Sequence, residues 1–289
     1  MKRLFIAACA VAGALDCAAE GPVSDDDVRM RDVFTSSLPK TQPQGTARFT
    51  VRPHFGDFNR YDYLRVPLGL RYGVTDRWQA ETELEGYFSH GLGDVSFGRS
   101  AGFSNLRVAT KYHFRRQFVP TWETAVGIEY SQPVGNPPPQ VTDGLKHTSS
   151  FVTFAHRLDR RPNMRVFWNL TSDFVEKTRI VGEDRKNDLR DNNLGVSGGL
   201  VWDRKTFHYT FESSVQTTRI TGKNHRDLFT VRPGVVWDVP RKYTFNAKGQ
   251  WQIGAGLRAS YGHDGTDVGL SVKMRLNFDL KRWFKRNQS

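Results

Sequence analysis

Apolar and polar side chains alternate along most of this chain. The clearest stretch is Leu64 to Tyr72, in which every second residue is apolar and the residues between them are Arg, Pro or Gly. A period of two is typical of a β-strand. The face opposite the apolar one carries too much charge to be a second buried core, so lipid outside and water inside fits best. The pattern predicts an all-β fold, a closed antiparallel up-and-down transmembrane β-barrel.

Twelve such segments are predicted, an even number, as bacterial single-chain barrels require. Their approximate bounds are 46–55, 62–74, 77–89, 103–114, 120–132, 148–158, 164–175, 193–202, 206–219, 228–238, 243–258 and 267–278. Short, mostly basic joints follow the even-numbered strands, at 75–76, 115–119, 159–163, 203–205 and 240–242. Longer polar joints alternate with them, at 89–102, 133–147, 176–192, 221–227 and 260–266. Because short turns face the periplasm in such barrels, both chain ends are expected there.

Aromatic residues flank the short joints. The pairs are Tyr72 with Trp78, Phe114 with Trp122, Trp202 with Phe207, and Trp237 with Tyr243. Such rings favour a membrane interface, because one part of the side chain is apolar and another can hydrogen bond. A soluble β-sandwich with aromatics at its strand ends is the alternative, but it would not explain the regular alternation of short and long joints.

The N-terminus has the features of an export signal. Lys2 and Arg3 precede an apolar run at 4–15, and the small residues Ala18 and Ala19 follow it. We therefore expect a signal peptide at 1–19, removed before Glu20. Cys17 also suggests a lipoprotein, although Asp16 stands where a small residue is needed. Because Cys9 and Cys17 are the only cysteines, the mature chain is expected to contain no thiol or disulfide.

The rest of the chain divides into three parts. Residues 20–45 form an irregular, Pro-containing lead with the acidic run 25–27, expected in the periplasm as a possible plug; residues 46–278 form the barrel, and 279–289 a periplasmic tail. The mean hydropathy of −0.56 excludes a bundle of membrane helices. The net charge of +12 suggests nucleic-acid binding as an alternative function. The basic residues, however, are spread over turns and strands, and no nucleic-acid motif is present.

The last predicted strand carries a further signal. Apolar residues at every second position from Val268 to Phe278 alternate with small or polar ones. This resembles the C-terminal strand by which outer-membrane proteins are presented to their assembly machinery, although here a tail from Asp279 to Ser289 follows the terminal aromatic. The resemblance implies two partners, the assembly machinery and the outer-membrane lipid.

A second resemblance covers residues 60–115. The stretch Pro67-Leu68-Gly69-Leu70-Arg71-Tyr72-Gly73-Val74-Thr75-Asp76 precedes Gly91-Leu92-Gly93-Asp94 and a strand that ends in Lys111-Tyr112-His113-Phe114. These motifs resemble an outer-membrane family of proposed transporters of the phenol meta-cleavage pathway. The resemblance implies an outer-membrane channel and says little about its cargo.

The inward face of the predicted barrel is charged. Alternating signs on neighbouring strands predict cross-strand ion pairs, whereas no acid on the first, second and last strands balances their cations. The residues expected to line the lumen are Arg48, Arg52, Arg65, Arg71, Glu81, Glu83, Glu85, Arg107, Lys111, Glu123, Glu129, Lys273 and Arg275. An unbalanced basic wall concentrates anions, so we expect passive diffusion of small polar or anionic solutes. The alternative is that these side chains fill the interior while Asp25, Asp26 and Asp27 fold in and neutralise them.

Other functions have weaker support. A lipid hydrolase or protease barrel would need a nucleophile and a base at one height on adjacent strands, and His113 and His208 are the candidates, but no G-x-S-x-G elbow is present. A closed structural barrel is the remaining reading. His54, His90, His147, His225 and His263 fall in or near the outer loops. None of them has the spacing of a metal site, and neither a metal nor a cofactor is expected.

Overall fold

The computed structural model describes residues 30–54, 63–89, 101–114, 121–135, 137–138, 141–142, 144–176, 192–218, 227–244, 250–262 and 265–279. These ranges contain a closed barrel of twelve antiparallel strands, as the sequence pattern predicts. The strands are β1 (Thr46–Val51), β2 (Tyr63–Gly73), β3 (Trp78–Ser89), β4 (Ala101–Phe114), β5 (Trp122–Pro133), β6 (Lys146–Leu158), β7 (Arg161–Glu176), β8 (Asn193–Asp203), β9 (Phe207–Thr217), β10 (Asp227–Val239), β11 (Gln250–Gly262) and β12 (Gly265–Asp279). The expected signal peptide, the acidic run 25–27 and the tail after Asp279 lie outside the described residues.

Each strand pairs with its two neighbours in the chain, and β1 closes the cylinder by pairing with both β2 and β12. Closure leaves no sheet edge, which is what a β-structure in hydrocarbon requires, because unpaired backbone groups cannot find water there. Alternate residues face outward as predicted: Val126 is 37% exposed and Leu270 is 45% exposed. The residues between them, such as Lys273, are buried in the bore.

Two joints differ from their predicted form. The alternation at 243–258 predicts a strand from Tyr243, but Arg241–Tyr243 forms a 3-10 turn closed by the Tyr243 N–H on the Pro240 carbonyl at 2.9 Å, and β11 begins at Gln250. The joint expected at 260–266 is shorter than predicted, because β11 continues to Gly262 and β12 begins at Gly265. Gly265 has a φ of +98°, a left-handed conformation that costs a glycine little.

Aromatic side chains gather at the end of the barrel that carries the short joints, which we call the short-turn end. Phe207 stacks on Trp237 with ring centroids 6.2 Å apart, and Trp237 contacts Tyr243 at 5.8 Å. Tyr72 and Trp78 are exposed on the outer surface beside the β2–β3 turn. These positions agree with an interfacial belt. Within the described part of the chain, no helix is long and apolar enough to cross a membrane.

Candidate functional site

The described part of the lead before β1 enters the barrel. Residues 30–38 form a tight hairpin, which we call the lumenal hairpin: the Val33 N–H donates to the Ser36 carbonyl at 2.9 Å, and the Leu38 N–H to the Arg31 carbonyl at 3.0 Å. The hairpin bonds to inward-facing residues all around the bore. Its hydrogen-bonding partners include Lys111 on β4, Thr153 on β6, Arg165 on β7, Ser197 on β8, Glu212 on β9, Arg232 on β10 and Arg275 on β12.

Residues 39–45 connect the hairpin to β1 and are held at the short-turn end. The Gln42 N–H donates to Gln79 Oε1 at 3.0 Å, and the Thr41 hydroxyl to the Asp76 carbonyl at 2.8 Å. The Pro43 carbonyl passes so close to Gly73 that a Cβ at that position would collide with it. The chain therefore turns at the mouth of the bore, and the hairpin points from there toward its middle.

Four cations from the wall meet in one place, which we call the basic cluster: Arg48, Arg71, Lys273 and Arg275. Arg48 on β1 lies directly opposite Arg71 on β2, and Lys273 and Arg275 are successive inward residues of β12. Arg48 is only 1% exposed and Arg275 only 2%. Like charges placed opposite one another destabilise a sheet, and buried charges need partners, so this arrangement requires an acid from outside these strands.

Asp32 of the lumenal hairpin supplies that acid. Its Oδ1 lies 3.0 Å from Arg48 Nη1 and 3.2 Å from Arg275 Nη2. Its Oδ2 lies 2.5 Å from Lys273 Nζ and 3.0 Å from Arg71 Nη1. Burial alone would raise the pKa of this carboxyl, but the four surrounding cations hold the pKa of Asp32 well below its usual range. The carboxylate is therefore charged in the docked hairpin.

Hairpin carbonyls complete the coordination of the two β12 cations. Lys273 Nζ donates to the Val33 carbonyl at 2.9 Å, and Arg275 Nη2 donates to the carbonyls of Asp32 at 3.0 Å and Val33 at 2.8 Å. Charge-assisted hydrogen bonds of this kind are stronger than neutral ones. The basic cluster thus binds both the side chain and the backbone of the hairpin turn.

The other face of the hairpin is apolar. Met30, Val33, Phe34 and Leu38 are buried in one cluster with the wall residues Ala155, Phe167, Val201 and Val236. Phe34, 5% exposed, lies against inward-facing glycines of β10 and β11. A Cβ built on Gly234 would lie 2.9 Å from Phe34 Cζ and closer still to Cε2, and one built on Gly256 would lie 3.1 Å from the same ring. These glycines form a notch, which we call the Phe34 notch, that larger residues would fill.

Polar contacts hold the tip of the hairpin. Glu212 on β9 accepts hydrogen bonds from the Thr35 hydroxyl at 2.5 Å and from the Ser36 N–H at 2.6 Å. Across the bore, Lys111 Nζ donates to the Leu38 carbonyl at 2.7 Å, and to Ser37 Oγ and the Lys40 carbonyl at 3.0 Å each. Lys111 is buried, so without the hairpin its charge would lose these three acceptors.

Beyond the hairpin, the bore contains a ladder of ion pairs. Arg107 Nε lies 2.5 Å from Glu129 Oε1, and Arg107 Nη1 lies 3.3 Å from Glu83 Oε1. Glu83 also pairs with Arg52, and Arg258 Nη2 pairs with Asp267 at 2.6 Å. Cross-strand pairs expected from the alternating charges are therefore present between β3, β4 and β5, whereas Lys111 of β4 bonds to the hairpin instead. A cavity of about 350 Å³ is lined by members of this ladder and also by Asp32, Arg71 and Lys273.

The remaining predicted lumen residues also lie on inward faces. Arg71 Nε pairs with Glu81 Oε2 at 2.6 Å. Glu85 accepts a hydrogen bond from Ser104 Oγ at 2.7 Å, and Glu123 Oε1 lies 3.9 Å from Lys40 Nζ. Arg65 occupies the same face of β2 as Arg71 and is partly buried. The cations of β1, β2 and β12 are expected to form an unbalanced basic wall, but acids from other parts of the chain pair with them: Asp32 of the lead, and Glu81 and Glu83 of β3.

Sequence reasoning missed Asp32, Glu212 and the Phe34 notch. Asp25, Asp26 and Asp27, the acids expected to enter the bore, lie outside the described residues. Two signals in the sequence could have pointed to Asp32. One is the surplus of cations on β1, β2 and β12; the other is the apolar set Met30, Val33, Phe34 and Leu38 around a single acid in an otherwise polar lead.

The two histidines considered for catalysis are both buried in the wall. His208 Nδ1 lies 2.6 Å from Asp203 Oδ1, and His208 Nε2 lies 3.2 Å from Asp238 Oδ2. Because carboxylates engage both ring nitrogens, neither nitrogen is left to take a proton from a nucleophile. His113 is buried on the inward face of β4. The described residues contain no group of three or more His, Cys, Asp or Glu side chains placed to hold a metal ion.

Comparison with known proteins gives a structural likeness alone. No family model matches the sequence, and no curated protein matches it. The COG4313 outer membrane channel from Pseudomonas putida F1 superposes with a TM-score of 0.58 at 12% identity, over 83% of this chain and 97% of that one. The KdgM porin gives 0.43 at 8% identity, over 80% and 96%. The CymD monoaromatic hydrocarbon channel gives 0.42 at 7%, over 82% and 89%.

The first of these likenesses shows that the chain has the fold of an outer-membrane channel barrel. The resemblance to the phenol-pathway family, read from residues 60–115, stays a prediction.

Proposed function

We propose that this protein is an outer-membrane channel for the passive diffusion of small polar or anionic solutes, with the lumenal hairpin seated in its path. The observation that carries the proposal is the ladder of charged side chains facing a cavity of about 350 Å³. Ion pairs are a costly way to fill an interior, because desolvation offsets much of their attraction. A bore that needed only to be filled would be lined more economically by apolar residues.

Charge in the bore supports an anion preference. The basic cluster contributes four positive charges, while the acids that pair with its members among the described residues are Asp32 and Glu81. The surplus would become larger if the hairpin left, because Asp32 would leave with it. A basic constriction raises the local concentration of anions.

The lumenal hairpin is the feature that favours a channel over a closed structural barrel. Twelve strands enclose more space than the filled eight-stranded barrels and less than the aqueous sixteen-stranded porins. Here a separate segment occupies part of that space, tethered to β1 by 39–45 alone among the described residues. A segment held in this way can leave the bore without breaking the backbone hydrogen bonds between the strands.

Conductance measurements on the mature chain, refolded from Glu20 onward and inserted in planar bilayers, test the proposal. We expect ionic current with a preference for anions, and a reduced preference in Arg52→Gln and Arg275→Gln. Lys205→Gln is the matched control, because Lys205 is an exposed residue of the β8–β9 turn and lies outside the bore. Absence of current over the accessible voltage range would refute the channel proposal, and equal selectivity in all variants would refute its anion preference.

A further inference from the structure

We propose that the basic cluster is a carboxylate-binding site of the channel, and that Asp32 occupies it as an internal ligand that soluble carboxylates displace. This inference rests on the proposed function, because the ligand must enter the bore. The displacing ligands are small carboxylates, and dicarboxylates are preferred over monocarboxylates.

The strands of the wall bring the cations of this site together. Its four cations come from β1, β2 and β12, which are neighbours in the closed sheet. Two of them have fixed partners of their own: Arg48 Nε donates to Asn277 Oδ1 at 2.5 Å, and Arg71 Nε pairs with Glu81 at 2.6 Å. These contacts hold the two guanidinium groups in position from the wall, whereas the contacts of Lys273 and Arg275 are with the carboxylate and carbonyls of the hairpin. A preorganised set of donors is what gives an anion site its affinity.

Asp32 binds in the way expected of a carboxylate ligand. Each of its oxygens contacts two cations, at distances of 2.5 to 3.2 Å. Donor capacity is left over, because Arg275 Nε is buried without a hydrogen-bond partner among the described residues. The cluster also keeps a positive surplus over Asp32 and Glu81. A ligand with two negative charges would use more of this capacity than one aspartate does.

A ligand can reach the site from the bore. The cavity of about 350 Å³ is lined by Asp32, Arg71 and Lys273, and also by Arg52, Arg107 and Arg258. The latter three arginines are already paired with acids, so they guide an anion without holding it as tightly as the cluster would. Asp32 therefore belongs to the hairpin and also lines the cavity. An incoming carboxylate would reach there the same cations that Asp32 contacts.

Calorimetric titration of the refolded mature chain with succinate tests the site, with acetate and dimethyl succinate as comparisons. The internal ligand lowers the apparent affinity for any competitor, so Asp32→Asn is expected to bind succinate at least tenfold more tightly than the unmodified chain. Acetate should bind more weakly, and the neutral ester should not bind. Asp173→Asn, which removes an inward-facing acid at the far end of β7, is the matched control and should behave as the unmodified chain does.

A second variant keeps the test decisive if Asp32→Asn fails to fold. Ser36 Oγ and Ser197 Oγ lie 3.0 Å apart, so Ser36→Cys with Ser197→Cys places two thiols within reach of a disulfide. Oxidation should lock the hairpin and abolish succinate binding, and reduction should restore it. Equal succinate affinity in the locked and reduced forms, or equal binding of the neutral ester, would overturn the carboxylate site.

Failure of the site and failure of the channel can be told apart. Carboxylate binding without current would leave the site standing and remove the channel. Current with no carboxylate binding would do the reverse.

Discussion

The Phe34 notch allows the docking of the hairpin to be weakened and then restored at a single contact. A Cβ at Gly234 would lie 2.9 Å from Phe34 Cζ and nearer still to Cε2, which is closer than van der Waals contact allows. The ring cannot turn away freely, because it is buried with Met30, Leu38 and Phe167. Gly234→Ala must therefore push the hairpin from its seat. Overpacking of this kind costs about 1–3 kcal/mol.

A second substitution should relieve that clash. Phe34→Leu shortens the side chain at the atoms that meet the new Cβ, and by itself leaves a small gap that costs roughly 1 kcal/mol. In the double variant the added methyl group occupies part of the gap. We expect the two effects to cancel in large part, with a coupling free energy of about 1–3 kcal/mol, because residues in direct contact are not additive.

Hydrogen exchange of the peptide around the hairpin measures its docking. The Val33 and Leu38 amides are hydrogen bonded within the hairpin, so their protection reports local opening. Gly234→Ala should reduce protection roughly 5- to 150-fold, the factor that corresponds to about 1–3 kcal/mol. Gly69→Ala is the control, since a Cβ there meets nothing closer than 3.4 Å and does not contact the hairpin. Undiminished protection in Gly234→Ala, or the same loss in the Phe34→Leu background, would refute the notch.

Two further outcomes follow from the polar contacts of the hairpin. Because the pKa of Asp32 is lowered in the docked hairpin, its contribution to docking is complete above the ordinary aspartate pKa of about 3.9 and is lost as the pH falls through the lower docked pKa. Amide protection, corrected for intrinsic exchange, should therefore hold from pH 7 to about 4 and decline below that. A decline already at pH 5 to 6 would contradict the proposed pairing with the basic cluster. Lys111→Met leaves the Leu38 and Lys40 carbonyls without their donor, which costs about 1–3 kcal/mol for a buried acceptor. The protection of the hairpin amides should therefore fall at least fivefold. The exposed control Lys205→Met should leave it unchanged.

The strands could be predicted because successive residues of each strand face two different environments, the lipid and the bore. Outward residues such as Val126 meet lipid and inward ones such as Glu129 meet charge, so the alternation is visible locally. The prediction that a strand begins at Tyr243 is wrong for the same reason. Tyr243, Thr244 and Phe245 alternate like a strand, yet the residues that follow Pro240 form a 3-10 turn, and alternation alone does not reveal that.

The hairpin could not be read in this way, because its partners are distant in the chain. Asp32 contacts Lys273 and Arg275 only after β12 has paired with β1. Ser36 contacts Glu212 of β9 only when the hairpin lies inside the bore. No local period marks such contacts. Inward-facing glycines gave an indirect signal: glycine inside a strand often marks the close approach of another segment, and Gly234 and Gly256 face Phe34.

Wall and hairpin together explain why the bore is both charged and glycine-rich. A wall that filled the bore by itself would carry large side chains at the positions of Gly234 and Gly256, and would pair its own cations as Arg107 pairs with Glu129. Instead the wall has glycines at the Phe34 notch and cations without an acid of their own strands at the basic cluster. The hairpin fills the notch with the Phe34 ring and neutralises the cluster with the Asp32 carboxylate. Because both are on one short segment, a single movement would remove volume and negative charge at once. The path would then open in the state in which it attracts anions most strongly.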